Sequence, residues 1–256
     1  MKIGIFDSGM GGLSIVPVVR RALPSADIIY YADVKNVPYG EKSPCEILEY
    51  SMAAADFLAE RGASAIVVAC NTATSVAVSA LREKYEAPEI NIPIIGMEPA
   101  VKKALDTCRS GRVLVAATPV TVKGKKLRDL VDRYDVDRLT DAIPMPRLVH
   151  LAEAESFDAK DYIKEELSAF DMSKYSALVL GCTHFNYFKD SFRRVLPPET
   201  MIVDGVDGTV RRLVSRIPDT ADGEGKIEFF LSGEKAADES KFERLLARLD
   251  EMEKIN

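Results

Sequence analysis

The sequence predicts an α/β fold of two pseudo-symmetric, doubly wound domains with mainly parallel sheets and an active site in the cleft between them. Three observations carry this. Short apolar, β-branched runs alternate with amphipathic segments. Most runs are continuously apolar, as in parallel strands covered by helices on both faces. One run is written twice: Ser-Ala-Ile-Val-Val-Ala-Cys ends at Cys70, and Ser-Ala-Leu-Val-Leu-Gly-Cys ends at Cys182.

The elements follow in order. "KIGIFD" is a strand that breaks at Asp7 into "DSGMGGLS". "DIIYYAD" is the next strand, followed by the Pro-Gly loop "VPYGEKS" with Tyr39. "PCEILEYSMAAADFLAERG" sets Ile47, Leu48, Met52, Ala55 and Leu58 along one stripe and stops at a glycine, so it reads as a helix. "AIVVAC" is a strand and "TATSVAVSALREKY" the helix after it. "IPIIGM", "RVLVAAT", "ALVLGC", "MIVDG" and "IEFFLSG" are the remaining strands. "EPAVKKALDTC", "VKGKKLRDLVDRY", "MPRLVHLAEAE", "DAKDYIKEELSAF" and "DESKFERLLARLDEMEKI" are the remaining helices. A fainter echo extends the repeat: "IGIFDS" ends at Ser8 much as "VLVAAT" ends at Thr118. Ligands of open α/β sheets bind at the carboxyl ends of strands, so two such units make a site between them.

Bulk properties narrow the function. The 256 residues carry 34 basic and 40 acidic side chains, a net charge of −6. That argues against a nucleic-acid surface, which is usually basic. Neither a signal-peptide pattern nor an apolar run long enough to cross a bilayer is present, so no membrane partner and a cytoplasmic location are expected. The four cysteines, Cys45, Cys70, Cys108 and Cys182, form no C-x-x-C pair, and no disulfide framework is expected. The only histidines are His150 and His184, and "CTH" is weak evidence for a metal.

Cys70 and Cys182 fall where a strand hands over to a helix. Asn71 and Thr72 are cap candidates behind the first, Thr183 and His184 behind the second. The helix dipole and free amide groups there are expected to lower a thiol pKa. His184 is placed to accept the proton of Cys182. A free cysteine often merely fills a strand end. Two at matching positions, each followed by polar residues, favour function; Cys45 and Cys108 lie in helical patterns and are given none. "DSGMGGLS" has neither the Lys-Ser/Thr pair of a P-loop nor G-x-G-x-x-G spacing. Its glycines are expected to allow tight turning and close approach to a ligand, with Asp7 and Ser8 beside the pocket. Glu153 reads, from spacing alone, as a surface glutamate.

Two thiols facing each other across a polar pocket suit inversion of a stereocentre. One thiolate removes a weakly acidic C–H proton and the opposite thiol returns one to the other face. Such a site needs no metal, nucleotide or flavin. It needs donors for a carboxylate, which Ser8, Thr72, Thr118, Thr121, Thr183 and helix-start amides supply.

"IGIFDSGMGGLS", "YYADVKNVPYGEKS", "VVACNTATS", "IIGMEP", "ATPVTV" and "LVLGCTHF" occur in the order and spacing of the glutamate racemase family, and the chain resembles that family over its whole length. The resemblance implies cofactor-independent interconversion of L- and D-glutamate for peptidoglycan. It implies Cys182 as the base for L-glutamate and Cys70 as the base for D-glutamate. Asp7 would assist Cys70, His184 would assist Cys182, and Glu153 would support the first thiol. Asp7, Ser8, Pro38, Tyr39, Gly40, Asn71, Thr72, Thr118, Thr121, Thr183 and His184 would line the substrate. Residues 1–97 with 209–256 would form one domain and 98–208 an inserted second. A homodimer is the implied partner state. The chain departs from the family pattern at Ala117, Gly124, Leu127, Met145, His150 and Asn186. No extension precedes the first strand, so activation by a cell-wall precursor is not expected. The competing readings are a two-thiol racemase for aspartate or another carboxylate, and a non-catalytic binding protein on the same fold.

Overall fold

Two sheets carry the four strand ends singled out above. The computed structural model describes residues 1–107, 111–135, 137–217 and 223–255; Cys108 lies outside the described residues. Ten strands are present among them: β1 (Lys2–Asp7), β2 (Asp27–Ala32), β3 (Ala65–Val68), β4 (Ile94–Gly96), β5 (Arg112–Ala117), β6 (Thr140–Pro144), β7 (Tyr175–Leu180), β8 (Met201–Asp204), β9 (Ile227–Leu231) and β10 (Glu234–Lys235). The first sheet runs β10-β9-β2-β1-β3-β4 and the second β6-β5-β7-β8. Every pairing is parallel except β9 with β10.

The order β2-β1-β3-β4 in the first sheet is repeated as β6-β5-β7-β8 in the second. The two-fold echo read from the cysteines is therefore a repeat of four strands. In each unit the chain leaves the first-formed strand to one side, then returns to its other side. This is the switch point where doubly wound sheets bind ligands. It lies between β1 and β3 in one unit and between β5 and β7 in the other.

Two strands were not legible from pattern. β6 is the repeat partner of β2, but β2 is interior, flanked by β1 and β9, whereas β6 is an edge. β2 is buried at five of its six residues, while β6 buries only Ile143. An edge strand covered on fewer sides keeps polar residues, so "TDAIP" carries no apolar run. β10 is two residues long and pairs only with β9.

The helices form where expected, with adjustments. Helix Pro44–Glu60 starts with proline in its first turn and a capping box in which Ser43 and Glu46 satisfy each other's backbone N–H. Its buried face is Ile47, Ser51, Ala54, Ala55 and Leu58. Leu48 and Met52 flank that face half-buried, so the true stripe is rotated toward smaller residues that let the helix approach the sheet. "VKGKKLRDLVDRY" is not one helix: Gly124, extended, separates Pro119–Lys123 from Lys125–Tyr134. The C-terminal helix Ser240–Met252 packs Phe242 against β9, its ring stacked on Phe229 with centroids 4.1 Å apart.

Candidate active site

Asp7 ends β1, and Thr118 directly follows β5. Cys70 lies two residues past β3, and Cys182 two past β7. The two units meet at these ends. The Thr183 hydroxyl donates to Asp7 Oδ2 at 3.0 Å, and the Thr72 and Thr118 hydroxyls are 2.8 Å apart. Cys70 and Cys182 are 5% and 6% exposed, so both thiols are inside the interface.

Cys70 caps helix Asn71–Tyr85 with its sulfur, which accepts from Ala73 N–H at 3.4 Å. Its thiol donates to Ser8 Oγ at 3.6 Å, and Ser8 in turn donates to Asp7 Oδ1 at 3.1 Å. Asp7 thus reaches Cys70 through Ser8. The expected depression of this thiol's pKa is corrected here. Burial pushes the Cys70 thiol well above its ordinary value, the Asp7 charge adds to that, and the Ala73 and Ser8 hydrogen bonds only partly oppose it. A helix N-terminus contributes about 0.3–1 kcal/mol, whereas full burial moves a pKa by up to several units. Burial also raises the Asp7 carboxyl, against the pull of His184 and of the Thr183 hydroxyl.

Cys182 begins the 3₁₀ turn Thr183–Phe188. Its sulfur lies 3.9 Å from His184 Nδ1. The other ring nitrogen, Nε2, is 2.7 Å from Glu153 Oε1, and the same oxygen accepts from Met10 N–H at 2.7 Å. Burial opposes charge on the His184 ring, but its bonds to Cys182 and Glu153 prevail and hold its pKa well above the ordinary value. For Glu153, burial acts to raise the pKa, and the His184 and Met10 contacts outweigh it and keep the carboxyl low. A low carboxyl and a high imidazole define a carboxylate–imidazolium pair aimed at Cys182.

Two expectations about Glu153 change. Its carboxylate is largely buried rather than on the surface, because helix Arg147–Glu153 ends against the turn after β7. Its direct bond is to His184, whose other ring nitrogen lies 3.9 Å from Cys182, while its charge also acts on Asp7. The glycines of "DSGMGG" also have another use than approach to a ligand. A Cβ on Gly9 would run into the Glu153 carboxylate, and one on Gly11 would sit 2.6 Å from the His184 backbone nitrogen. These glycines let the first unit's loop lie directly on the segments of the second that carry Glu153 and His184.

The hydroxyls gather as anticipated. Thr118 donates to Thr121 Oγ1 at 3.1 Å and accepts from Thr121 N–H at 3.4 Å, while Thr72 Oγ1 is 3.4 Å from Thr121 Oγ1. Asn71 is buried with its side-chain oxygen unpartnered. Asn71 and Thr121 also line an adjoining cavity of about 370 Å³ with Ser75 and Leu127; the thiols lie beside this cavity, not in it. Val37–Pro38 is a cis peptide, and Tyr39 and Gly40 are buried beyond it. Tyr39 donates to Asp33 Oδ2 at 2.7 Å, and Gly40 packs against Thr118.

Asp33, Met10, Tyr30 and Tyr187 had not been picked out. Asp33 receives Tyr39 and both Asn36 contacts, and it follows a strand as Asp7 ends one, a signal the sequence offered. The Tyr30 and Tyr187 hydroxyls donate to the carbonyls of Gly9 and Met10 at 3.0 and 2.8 Å and pin the glycine loop. No pattern in the sequence marks them. Cys45 is exposed in helix Pro44–Glu60, away from this cluster. Among the described residues no group of three or more His, Cys, Asp or Glu side chains is arranged to hold a metal ion, and no helix is long and apolar enough to cross a membrane.

Residues 13–213 match the family described as Asp/Glu/Hydantoin racemase. The chain is 50% identical to the glutamate racemase of Campylobacter curvus, with all of both chains aligned, and 46% identical to that of Lachnospira eligens, again over both full lengths. Among solved structures it resembles glutamate racemase from Aquifex pyrophilus, with TM-score 0.76, 33% identity and coverage of 97% of this chain and 96% of that one. It also resembles the Escherichia coli enzyme crystallised with L-glutamate and an activator, with TM-score 0.77, 31% identity and coverage of 90% and 98%.

Proposed function

The chain belongs to the Asp/Glu/hydantoin racemase family, and from that premise we infer that it is a glutamate racemase, a cofactor-independent isomerase that supplies D-glutamate for peptidoglycan. The observation that carries the reading is the pair of buried thiols at matching strand ends of a repeated unit, held in one interface. In the direction from L-glutamate, the Cys182 thiolate takes the α-proton from one face. The electron pair is held as a carbanion beside the carboxylate, and the Cys70 thiol gives its proton to the opposite face. The reverse reaction begins with a Cys70 thiolate and ends with protonation by Cys182.

The electrostatics support these roles. The His184 ring, its pKa held high against burial by its bonds to Cys182 and Glu153, lies 3.9 Å from the Cys182 sulfur. Burial and the Asp7 charge hold the Cys70 pKa above its ordinary value, the direction that favours the proton donor needed when L-glutamate is the substrate. The hydroxyls of Ser8, Thr72, Thr118, Thr121 and Thr183, with Asn71 and the Pro38–Gly40 turn, are our reading of what grips the substrate. We further read the domains as residues 1–97 with 209–256 and 98–208, which the membership of the two sheets supports, and the chain as a cytoplasmic homodimer.

Incubation with L- or D-glutamate in D₂O, followed by polarimetry and α-deuterium incorporation, tests the reading. Racemisation with solvent deuterium, without added cofactor, is expected from either enantiomer. Activity on aspartate alone would refute the substrate. Cys70→Ser and Cys182→Ser are each expected to lose racemisation by orders of magnitude, with Cys45→Ser unchanged; equal tolerance at all three would refute the two-thiol reading.

A further inference from the structure

The C-terminal helix touches both segments that carry the Glu153–His184 pair. It belongs to the first unit: Phe242, Leu245, Leu249 and Met252 are buried, and Phe242 stacks on Phe229 of β9 and meets Tyr30 of β2 edge-on. Lys241, Arg244 and Arg248 share one other stripe of it, spaced three and four residues apart.

That stripe faces the second unit. Lys241 Nζ donates to the backbone carbonyl of Glu153 itself at 3.0 Å. Arg244 holds the Glu155 carboxylate with two bonds of 2.8 Å. Glu155 has φ +53°, a left-handed conformation that a non-glycine residue adopts at a cost. Arg248 donates to the Tyr187 carbonyl at 3.0 and 3.2 Å and to Asp190 Oδ1 at 2.7 Å. Its guanidinium also lies 5.2 Å from the Phe157 ring, which stacks on Tyr187.

These contacts differ in weight. Arg244 is 58% exposed, and an exposed ion pair contributes little by itself. Arg248 is 16% exposed and makes charge-assisted bonds to the turn that carries His184. One helix thus holds the end of the Glu153 helix at one point and the His184 turn at another. The two gripped segments are the ones joined by the 2.7 Å contact between the Glu153 carboxylate and the His184 ring.

We propose that Lys241 and Arg248, with Arg244 in support, are positioning residues that set the Glu153–His184 pair and thereby the proton transfer at Cys182. The proposal rests on the two-thiol racemase reading. It singles out one half of the reaction, because none of these residues has a bond to Cys70, Ser8 or Asp7.

The test measures primary isotope effects on kcat/KM with α-deuterated L-glutamate and α-deuterated D-glutamate separately, for the wild type, Arg248→Ala, Arg248→Lys and Lys241→Met. Enantiomers have equal free energy, so kcat/KM must fall equally in both directions; for Arg248→Ala we expect a fall of roughly 10- to 100-fold. The two isotope effects must diverge. Slowing transfer at Cys182 raises the effect on L-glutamate, whose deuteron Cys182 removes. It lowers the effect on D-glutamate from the kinetic value toward the smaller equilibrium isotope effect of carbon-to-sulfur transfer, because removal by Cys70 becomes a prior equilibrium. Ser8→Ala, which disturbs Cys70, should move the pair oppositely and calibrates the range. Arg248→Lys, which keeps a donor for Tyr187, should recover part of the change.

A lower rate with both isotope effects unmoved, while Ser8→Ala shifts them, would overturn the proposal and leave a purely structural role. If Arg248→Ala does not fold, the same divergence in Lys241→Met and Arg248→Lys decides. A divergence of opposite sign would reverse the enantiomer assigned to each thiol while upholding the positioning role. A wild type inactive on both enantiomers would instead refute the functional reading.

Discussion

Replacing Glu153 by glutamine removes one charge and leaves the shape of the side chain. In the native chain one carboxylate oxygen receives both His184 Nε2 and Met10 N–H at 2.7 Å. The amide oxygen can accept both of these bonds, but it no longer carries the charge that stabilises a charged ring. A hydrogen bond to a charged group contributes about 1.5–3 kcal/mol. The His184 pKa should therefore fall toward its ordinary value. The chain has only two histidines, so a proton NMR titration resolves them, and the exposed His150 serves as reference. Stability should change with a defined pH profile. The depressed Glu153 contributes stability present above its ordinary value of 4.5 and lost as pH falls through its folded value. The raised His184 contributes stability that is complete below its ordinary value of 6.5 and lost as pH rises through its folded value. The wild type should therefore exceed Glu153→Gln in Tm most between those two values, with the gap closing in alkali. An unmoved His184 titration, or a Tm gap that widens in alkali, would refute the carboxylate–imidazolium pair.

Three further outcomes follow from the same geometry. Gly11→Ala would place a methyl 2.6 Å from the His184 backbone nitrogen and 2.7 Å from Thr183 Oγ1. It should abolish racemisation even where circular dichroism shows the fold intact. Gly62→Ala is the contrast: φ is +80° with no atom within 4 Å of the new carbon, so stability should fall by about 1–2 kcal/mol with kcat unchanged. Thr118→Val leaves the buried Thr72 and Thr121 hydroxyls short of a partner, a cost of about 1–3 kcal/mol. Adding Thr72→Val should recover part of that in denaturant unfolding, because both sides of the bond are then apolar, while KM for glutamate rises.

What the sequence made legible was local. An apolar run followed by a polar residue marks a strand end, and that rule found Asp7, Cys70, Thr118 and Cys182 together. It failed at β6 because the signal depends on burial from both sides, and an edge strand does not have it. It misjudged Glu153 because the group that defines it, Met10 N–H, is 143 positions away, and its imidazole partner is 31 positions away. Spacing within one helix carries no information about either. The sign of the Cys70 shift failed for the same reason. The helix start is written beside the cysteine, while the Asp7 charge arrives from the neighbouring strand β1 and the burial from tertiary packing, neither of which is written there.

The glycine loop shows how far this goes. Read locally, "DSGMGG" is a flexible turn open to a ligand. In the fold its missing side chains are space occupied by Glu153 and His184. The surroundings of Cys182 are therefore set partly by the opposite unit. Asp7 of the first sheet accepts from Thr183 beside Cys182, and Met10 of the first loop anchors the carboxylate that charges His184. A repeat that contributed only one thiol per unit would let each half act alone. This arrangement makes the Glu153–His184 contact beside Cys182 depend on the units being closed, because its carboxylate is anchored from the first unit and its imidazole is carried by the second.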